Sequence, residues 1–469
     1  MAESALAAAP AAPRPRMGAK GWGALLVLCG AIFLEGADVG MLTVALPAIR
    51  ADLGLATGEL QWVMSAYVLG YGGFMLLGGR VADLFGRRRV FLIALALFIV
   101  FSGLGGLASE GWMLILARFV TGVTAAFMTP AGLSIITTTF AEGALRDRAL
   151  LFYSGTAAGG FSLGLVIGGL LTAIGWRWVF FVPVILATAI FVAAVVFIPR
   201  TPAQTGRGRL DTPGALAITS AILLLVFSIE RAPHVGLELT LGSLALVAVL
   251  LASFVVIERR SRSPLVRLGI LRSGPLLRAN ASSLLFSAAY SSFQFVLVLF
   301  LQELLGWSAI QTSLLLIVIA IDTVLTPTVT PILVKRFGRI PVIVGGLLLA
   351  VLAYALILPL QMDWTYAAML PSVIVLGLAF TLVYGPLTIA ATDDVAEEEQ
   401  GLAGGIFYTM FQFGGALGLS VVASIVGFAS AVDDPAAMLE VYRSALVVPL
   451  GAVALATVIM LFGVRRRTR

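Results

Sequence analysis

Between two long apolar runs the sequence reads GRVADLFGRRR, residues 79–89. Gly86 permits a tight turn between two helices, because glycine adopts backbone conformations that other residues avoid. Asp83 is placed to pair with the arginines that follow or to cap the next helix. A basic anchor beside a membrane span would explain the arginines, but it would not explain the spaced glycine and aspartate. The segment therefore predicts a specialised turn between two helices.

Parts of the sequence recur about half a chain later. The tripeptide FGR at residues 85–87 returns at residues 337–339, an offset of 252 (338 − 86). The pattern FxxGxxxG at residues 161–168 returns at residues 411–418, an offset of 250 (418 − 168). Chance recurrence in a chain with 50 glycines is the alternative explanation. Two nearly equal offsets favour an internal repeat of the kind that builds transporters from two similar halves.

The composition indicates that lipid is the solvent for most of this chain. Of its 469 residues, 60% are hydrophobic and 12% are charged, and the mean hydropathy is +1.06. A soluble domain carries about 25% charged residues. Because a membrane-spanning helix takes about 20 residues, about fourteen helices would use most of the apolar residues and leave no room for a sizeable soluble domain. We expect an all-α integral membrane protein with two six-helix halves and two inserted helices.

The positive charges predict how the chain is oriented. Most of the 30 Lys and Arg residues fall in loops on the side of the two termini. By the positive-inside rule we expect a protein of the cell membrane with both termini on the cytoplasmic side. The net charge of +6 then reflects this topology and does not indicate a nucleic-acid partner. The expected organisation is a disordered cytoplasmic tail at 1–21, an N-terminal half at 22–200, inserted helices at 211–257, a C-terminal half at 274–464 and a basic tail at 465–469.

Four ionisable residues fall inside predicted spans: Glu35, Asp38, Arg118 and Asp322. Each costs about 2.5–3.5 kcal/mol at the bilayer centre, so such residues are usually kept for function. Glu35 and Asp38 are three apart and share a helix face, where two carboxylates cannot both ionise cheaply. We expect them to bind protons or substrate. The alternatives are an ion pair of Asp38 with Arg118 that only supports the structure, and a local hydrogen bond for Asp322.

These motifs resemble the major facilitator superfamily, and within it the fourteen-span drug:proton antiporter family. The superfamily's signature loop is matched in this chain by Gly79, Asp83, Gly86, Arg87 and Arg88. The first helix, from Asp38 to Pro47, and the fourth, with Arg118, Gly122 and Pro130, also resemble family motifs. The fifth-helix antiporter motif is matched by Gly155, Gly159, Gly164, Gly168 and Gly169, although Leu165 stands where the family has proline.

The resemblance implies a role for each motif. The loop residues would form a gating latch between the halves, and Arg118 would tune the proton-binding acid of the first helix. The fifth-helix glycines would pack close to the other half and limit leak. An acid at Asp322 would serve a cationic substrate or a proton. The implied function is export of amphipathic, cationic or aromatic drugs, including antibiotics, by alternating access.

The polar and aromatic residues of the spans supply candidates for a cavity wall, although spacing alone does not choose among them. The candidates are Tyr67, Tyr71, Phe127, Tyr290, Gln294, Tyr384, Tyr408 and Gln412. We expect a monomer that is driven by the proton gradient and needs no cofactor or metal. A dedicated exporter or flippase for a lipid or a metabolite on the same fold is the main alternative. A membrane-embedded enzyme is disfavoured, because no catalytic His or Cys cluster is present.

Overall fold

The computed structural model describes residues 18–140, 144–200, 211–231, 235–261, 269–270, 273–392, 400–428 and 434–465. Within these ranges the secondary structure is helical, with no strand. Residues 1–17 of the predicted tail, the last four residues of the basic tail and the side chain of Asp83 lie outside the described part.

Eight helices lie before residue 261. They are α1 (Ala19–Leu53), α2 (Thr57–Phe85), α3 (Arg87–Gly106), α4 (Gly111–Thr139), α5 (Ala144–Ile174), α6 (Trp178–Phe197), α7 (Thr212–Arg231) and α8 (Leu237–Arg260).

The second part of the chain contains a π-helical turn, a 3-10 turn and eight further helices. They are α9 (Gly274–Leu299), the π turn (Phe300–Leu304), α10 (Ala309–Leu316), the 3-10 turn (Ile317–Ala320), α11 (Ile321–Thr328), α12 (Thr330–Phe337), α13 (Arg339–Ile357), α14 (Tyr366–Thr392), α15 (Gln400–Phe428) and α16 (Pro435–Arg465).

The all-α membrane fold is confirmed. Among the described residues, 12 helices are long and apolar enough to span a bilayer. The two other predicted spans contain the shorter apolar stretches Thr212–Leu225 in α7 and Ala309–Ala320, which covers α10 and the 3-10 turn. The second of these spans is broken into α10, α11 and α12, and Pro331 at the start of α12 cannot donate a backbone hydrogen bond. The structure therefore shows this predicted span as a helix in three segments.

The two halves repeat one another in backbone geometry. Gly86 joins α2 to α3 with φ of 95°, and Gly338 joins α12 to α13 with φ of 84°. Both values lie in the left-handed region that favours glycine. The same turn therefore stands at both positions of the FGR repeat.

The FxxGxxxG repeat is also a structural repeat. In the first half α5 packs along α1, and in the second half α15 packs along α9. Gly164 faces the backbone of Ala37, while Gly414 faces the backbone of Leu284. Small residues let two helix backbones approach closely, which is a common way of packing helices in membranes.

The inserted helices attach to one side of the bundle. Helix α7 contacts α2 and α15, one from each half, and α8 contacts α7. The hydroxyl of Thr219 in α7 donates to the carbonyl of Gly73 in α2 at 2.8 Å. Helix α8 exposes apolar side chains such as Leu239 and Val249, as a lipid-facing helix does.

Candidate functional site

A cavity of about 180 Å³ lies between the two halves. Its wall is formed by side chains of α1, α2, α5, α9, α11, α14 and α15. Seven of the predicted wall residues line it: Tyr67, Tyr71, Tyr290, Gln294, Tyr384, Tyr408 and Gln412. Phe127 is not among the described residues that line the cavity, and it packs instead against apolar clusters that include Ala131 and Tyr71.

Asp38 and Arg118 form a buried ion pair beside the cavity. The Nη1 atom of Arg118 lies 2.5 Å from Oδ2 of Asp38, and the two side chains are each 2% exposed. The Arg118 guanidinium also lies over the ring of Tyr67, 4.5 Å from its centroid. Neither charged side chain is among the cavity lining, whereas Tyr67 is. The pair therefore lies behind the wall, with the aromatic ring of Tyr67 between the guanidinium and the cavity.

Glu35 lies one helical turn before Asp38 and lines the cavity itself. The hydroxyl of Thr129 in α4 donates to Oε2 of Glu35 at 2.6 Å, and the Tyr71 hydroxyl donates to Thr129 Oγ1 at 3.2 Å. A chain of two hydrogen bonds thus ends on the carboxylate. The two acids predicted to act together from one helix face have different surroundings, because only Glu35 borders the cavity.

Asp322 supplies an acid from the second half. It lies in the first turn of α11, directly after the 3-10 turn, and is 2% exposed. It lines the same cavity as Glu35. The 3-10 turn before Asp322 is backbone that is not α-helical within a predicted span. Membrane proteins tolerate such backbone where it lies next to a cavity.

Aromatic rings form one continuous part of the wall. The ring centroids of Tyr290 and Phe380 are 4.9 Å apart, and those of Phe380 and Tyr384 are 5.3 Å apart. Phe161 of α5 reaches Tyr290 at 5.8 Å and so joins the two halves. The sequence did not single out Phe161 and Phe380 as wall residues, because aromatic side chains in apolar helices have no spacing that separates wall from packing.

The fifth-helix glycines pack differently from what the family resemblance implied. Gly164 and Gly168 face the backbone of Ala37 and Met41 in α1, within the same half. Of the motif glycines whose surroundings are described, Gly169 alone faces the second half, where a Cβ would meet the side chain of Ser313 and the carbonyl of Ala309. The expectation that the whole motif packs on the other half is therefore corrected, because α5 lies along α1 for most of its length.

The remaining glycines of this interface divide into two groups. A Cβ at Gly155 would meet no atom within 4 Å, and Gly159 is buried. Gly36, Gly40 and Gly160 contact backbone across the α1–α5 interface, although the sequence did not single them out. The signal that could have found them is the four-residue spacing of small residues on both helices.

The loop motif ties three helices together. The Arg87 guanidinium donates to the carbonyl of Ser134 in α4 at 3.1 Å, and Arg88 donates to the carbonyl of Val195 in α6 at 2.6 Å. A Cβ at Gly79 would lie 3.6 Å from Cβ of Pro130, an ordinary packing distance. These arginine contacts join helices within the first half.

The opposite end of the bundle carries direct links between the halves. Arg50 Nη1, near the end of α1, lies 2.9 Å from Oε1 of Glu303 in the π turn. The neighbouring Gln302 donates to the carbonyl of Val44 at 3.3 Å. Ser313 Oγ of α10 donates to the carbonyl of Leu165 in α5 at 2.8 Å. These contacts close the two halves against each other at this end.

Comparison with known proteins agrees with this architecture. The family model of the Major Facilitator Superfamily matches residues 28–419. The chain is 35% identical over 431 residues to the cephamycin export protein CmcT of Amycolatopsis lactamdurans, covering 90% of this chain and 88% of that protein. It is 34% identical to the puromycin resistance protein pur8 of Streptomyces alboniger, covering 88% and 82%.

Solved structures show the same fold at low sequence identity. A POT family transporter in complex with 5-aminolevulinic acid superposes with a TM-score of 0.70 at 16% identity, covering 94% of this chain and 95% of the other.

Proposed function

This chain belongs to the Major Facilitator Superfamily, and on that premise we propose that it is a proton-coupled antiporter. It exports amphipathic, cationic or aromatic drugs, among them antibiotics, by alternating access. Its similarity to antibiotic export and resistance proteins supports the class of cargo. The superfamily consists of transporters, so an enzymatic activity is not part of the proposal.

The observation that carries the proposal is the meeting of two acids from different halves in one aromatic cavity. Glu35 comes from α1 and Asp322 from α11, and both line the same space as Tyr290 and Tyr384. Carboxylates attract a cation, and aromatic faces attract it further while accommodating flat apolar groups. The cavity therefore suits an amphipathic cation better than an anion.

Glu35 is the acid that we assign to the exchangeable proton. It borders the cavity, so cargo and a proton can compete for it. Thr129 donates a hydrogen bond to its carboxylate, and Tyr71 donates in turn to the Thr129 hydroxyl. Asp38 instead holds Arg118 in place behind the wall. In this scheme Arg118 tunes the proton-binding acid of α1 from its position beside Asp38.

The transport cycle follows from these positions. A proton from outside binds Glu35 and releases cargo, and loss of that proton toward the cytoplasm lets new cargo bind. The halves rock about the cavity between these events. The Arg50–Glu303 link closes the outer end, and the loop at 79–89 belongs to the latch at the cytoplasmic end. The proton gradient is the drive, no cofactor or metal takes part, and the chain works as a monomer in the cell membrane with both termini cytoplasmic.

Transport into proteoliposomes tests the proposal. A fluorescent aromatic cation such as ethidium should move against its gradient when a pH gradient is imposed, and a protonophore should stop the movement. Glu35→Gln should abolish this gradient-driven transport. A wild-type protein that moves no cation under the pH gradient would contradict the proposal, and movement of a single lipid or metabolite in its place would support the dedicated exporter.

A further inference from the structure

One buried side-chain amide in the cavity wall makes no hydrogen bond to the described part of the protein. Gln294 of α9 is 2% exposed and lines the cavity. Both its Nε2 and its Oε1 atoms are buried without a hydrogen-bond partner among the described residues. Buried side-chain amides in folded proteins nearly always have partners, so this one calls for an explanation.

Two other amide side chains, on α9 and in the π turn after it, each donate at least one hydrogen bond. Asn280, on the same helix, donates to the carbonyl of Leu276 at 2.8 Å. Gln302 donates to the carbonyl of Val44 at 3.3 Å. The Tyr290 phenol, one turn before Gln294, lies near its amide, but no hydrogen bond of good geometry reaches either amide atom. The amide of Gln294 is therefore available to form hydrogen bonds with a molecule bound in the cavity.

The position of Gln294 fits a recognition role. Ser287, Ser291 and Gln294 recur at helical spacing on one face of α9, and all three line the cavity. The surrounding wall is largely aromatic and apolar, with Tyr290 packed on Phe380. In such a wall a side-chain amide discriminates strongly between ligands. A ligand that cannot form hydrogen bonds with Gln294 leaves the Nε2 and Oε1 atoms of that residue buried and unpaired.

An amide side chain offers one acceptor and two donor hydrogens side by side. The group that complements it best is another amide, whose carbonyl accepts from Nε2 while its N–H donates to Oε1. We propose that Gln294 recognises an uncharged primary amide on the cargo, which presents its carbonyl and an N–H on the same edge. The inference rests on the proposed function in one respect, namely that cargo occupies this cavity. It adds a neutral recognition element to the acids that attract the cation.

A matched pair of probes tests this recognition. One probe is an aromatic quaternary ammonium compound with a primary carboxamide, and the other is its N,N-dimethyl carboxamide, which keeps the carbonyl and loses both N–H donors. Binding of each probe to the purified full chain in lipid nanodiscs is measured at equilibrium. The wild-type protein should bind the primary amide about tenfold more tightly than the dimethyl amide, since only the first satisfies Oε1.

Two variants locate the preference at Gln294. Gln294→Met has a side chain of similar length without an amide, and it should bind both probes equally. Its affinity for the dimethyl probe should fall less than its affinity for the primary probe, because the dimethyl probe loses only the hydrogen bond to its carbonyl, and an unchanged Tm reports an intact fold. Gln294→Glu loses the Nε2 donor but keeps an acceptor oxygen for the N–H of the primary probe, so the ratio of its two affinities should still favour the primary amide.

Several results would overturn the proposal. Equal affinity of the wild-type protein for the two probes, or binding of neither probe, contradicts it without recourse to any variant. An unchanged preference in Gln294→Met contradicts it as well. Transport under a pH gradient separates the two levels: a preference in binding without proton-driven transport overturns the proposed antiport alone, and transport without the preference overturns the role of Gln294 alone.

Discussion

The guanidinium of Arg118 lies 2.5 Å from the carboxylate of Asp38, and neither side chain lines the cavity. Two charges removed from water stabilise one another only as a pair, because each alone pays the cost of burial. The pair therefore holds α1 to α4 next to the wall, and of the two acids of α1 it is Glu35 that remains to meet cargo.

Removal of one partner of this pair should destabilise the protein strongly. Asp38→Asn leaves Arg118 buried without its counter-charge, and such changes cost about 3–5 kcal/mol. Thermal unfolding of the purified protein should show a marked fall in Tm for Asp38→Asn and a smaller fall for the double variant Asp38→Asn/Arg118→Gln. Equal or greater loss in the double variant would show that the two charges do not support one another.

Glu35→Gln should separate transport from folding. The amide keeps the shape and can still accept from Thr129, so Tm should remain within a few degrees of wild type while pH-driven transport is lost. Thr129→Val is the matched control, because it removes one hydrogen bond to Glu35 and should slow transport without abolishing it. Full gradient-driven transport by Glu35→Gln would remove Glu35 from the proton path.

Asp322 should select for positive charge. Asp322→Asn should weaken binding of a quaternary ammonium probe by about tenfold, while its neutral tert-butyl isostere, which has the same shape, should bind with nearly unchanged affinity. The reason is that a carboxylate near the bound cation contributes through charge, which the neutral probe does not sense. A parallel loss for both probes would indicate a structural role for Asp322.

The α1–α5 interface should not tolerate a larger side chain. A Cβ at Gly164 would lie 2.6 Å from Cα of Ala37, so Gly164→Val must push the two helices apart. We expect reduced Tm and reduced transport for this variant. Gly155→Val lies on the same helix where a Cβ meets open space, and it should be close to wild type. Similar behaviour of the two variants would rule out tight packing as the reason for the glycine at position 164.

Charge exchange tests the link at the other end of the bundle. Arg50→Glu and Glu303→Arg should each separate the ends of α1 and α9, since like charges then face one another, and each should alter the rate of transport. The combined exchange should restore the rate toward wild type. Because the pair is about one third exposed, the effect on stability should be about 1 kcal/mol or less. A combined variant as impaired as the single ones would argue against a direct link.

The sequence predicted much of this fold because its strongest signals are local. Apolar runs identify spans, and the FGR tripeptides identify the turns at Gly86 and Gly338 without any knowledge of contacts. The four intramembrane charges stand out for the same reason. The division of labour between Glu35 and Asp38 could not be predicted, since it depends on which neighbour each side chain meets across the helix interface. Likewise, the glycines of α5 were recognisable as a packing motif, but the helix that they pack against is a property of the tertiary structure.

Proton release on cargo binding tests the central claim most directly. The purified protein, in weakly buffered solution with a pH indicator near neutral pH, is mixed with ethidium at saturating concentration. The account predicts that the wild-type protein releases protons in proportion to bound cargo. Asp322→Asn should do the same at ethidium concentrations high enough to restore binding, and Glu35→Gln should release none. Cargo binding without proton release in the wild-type protein, or equal release in Glu35→Gln, would contradict the exchange of cargo for a proton at Glu35.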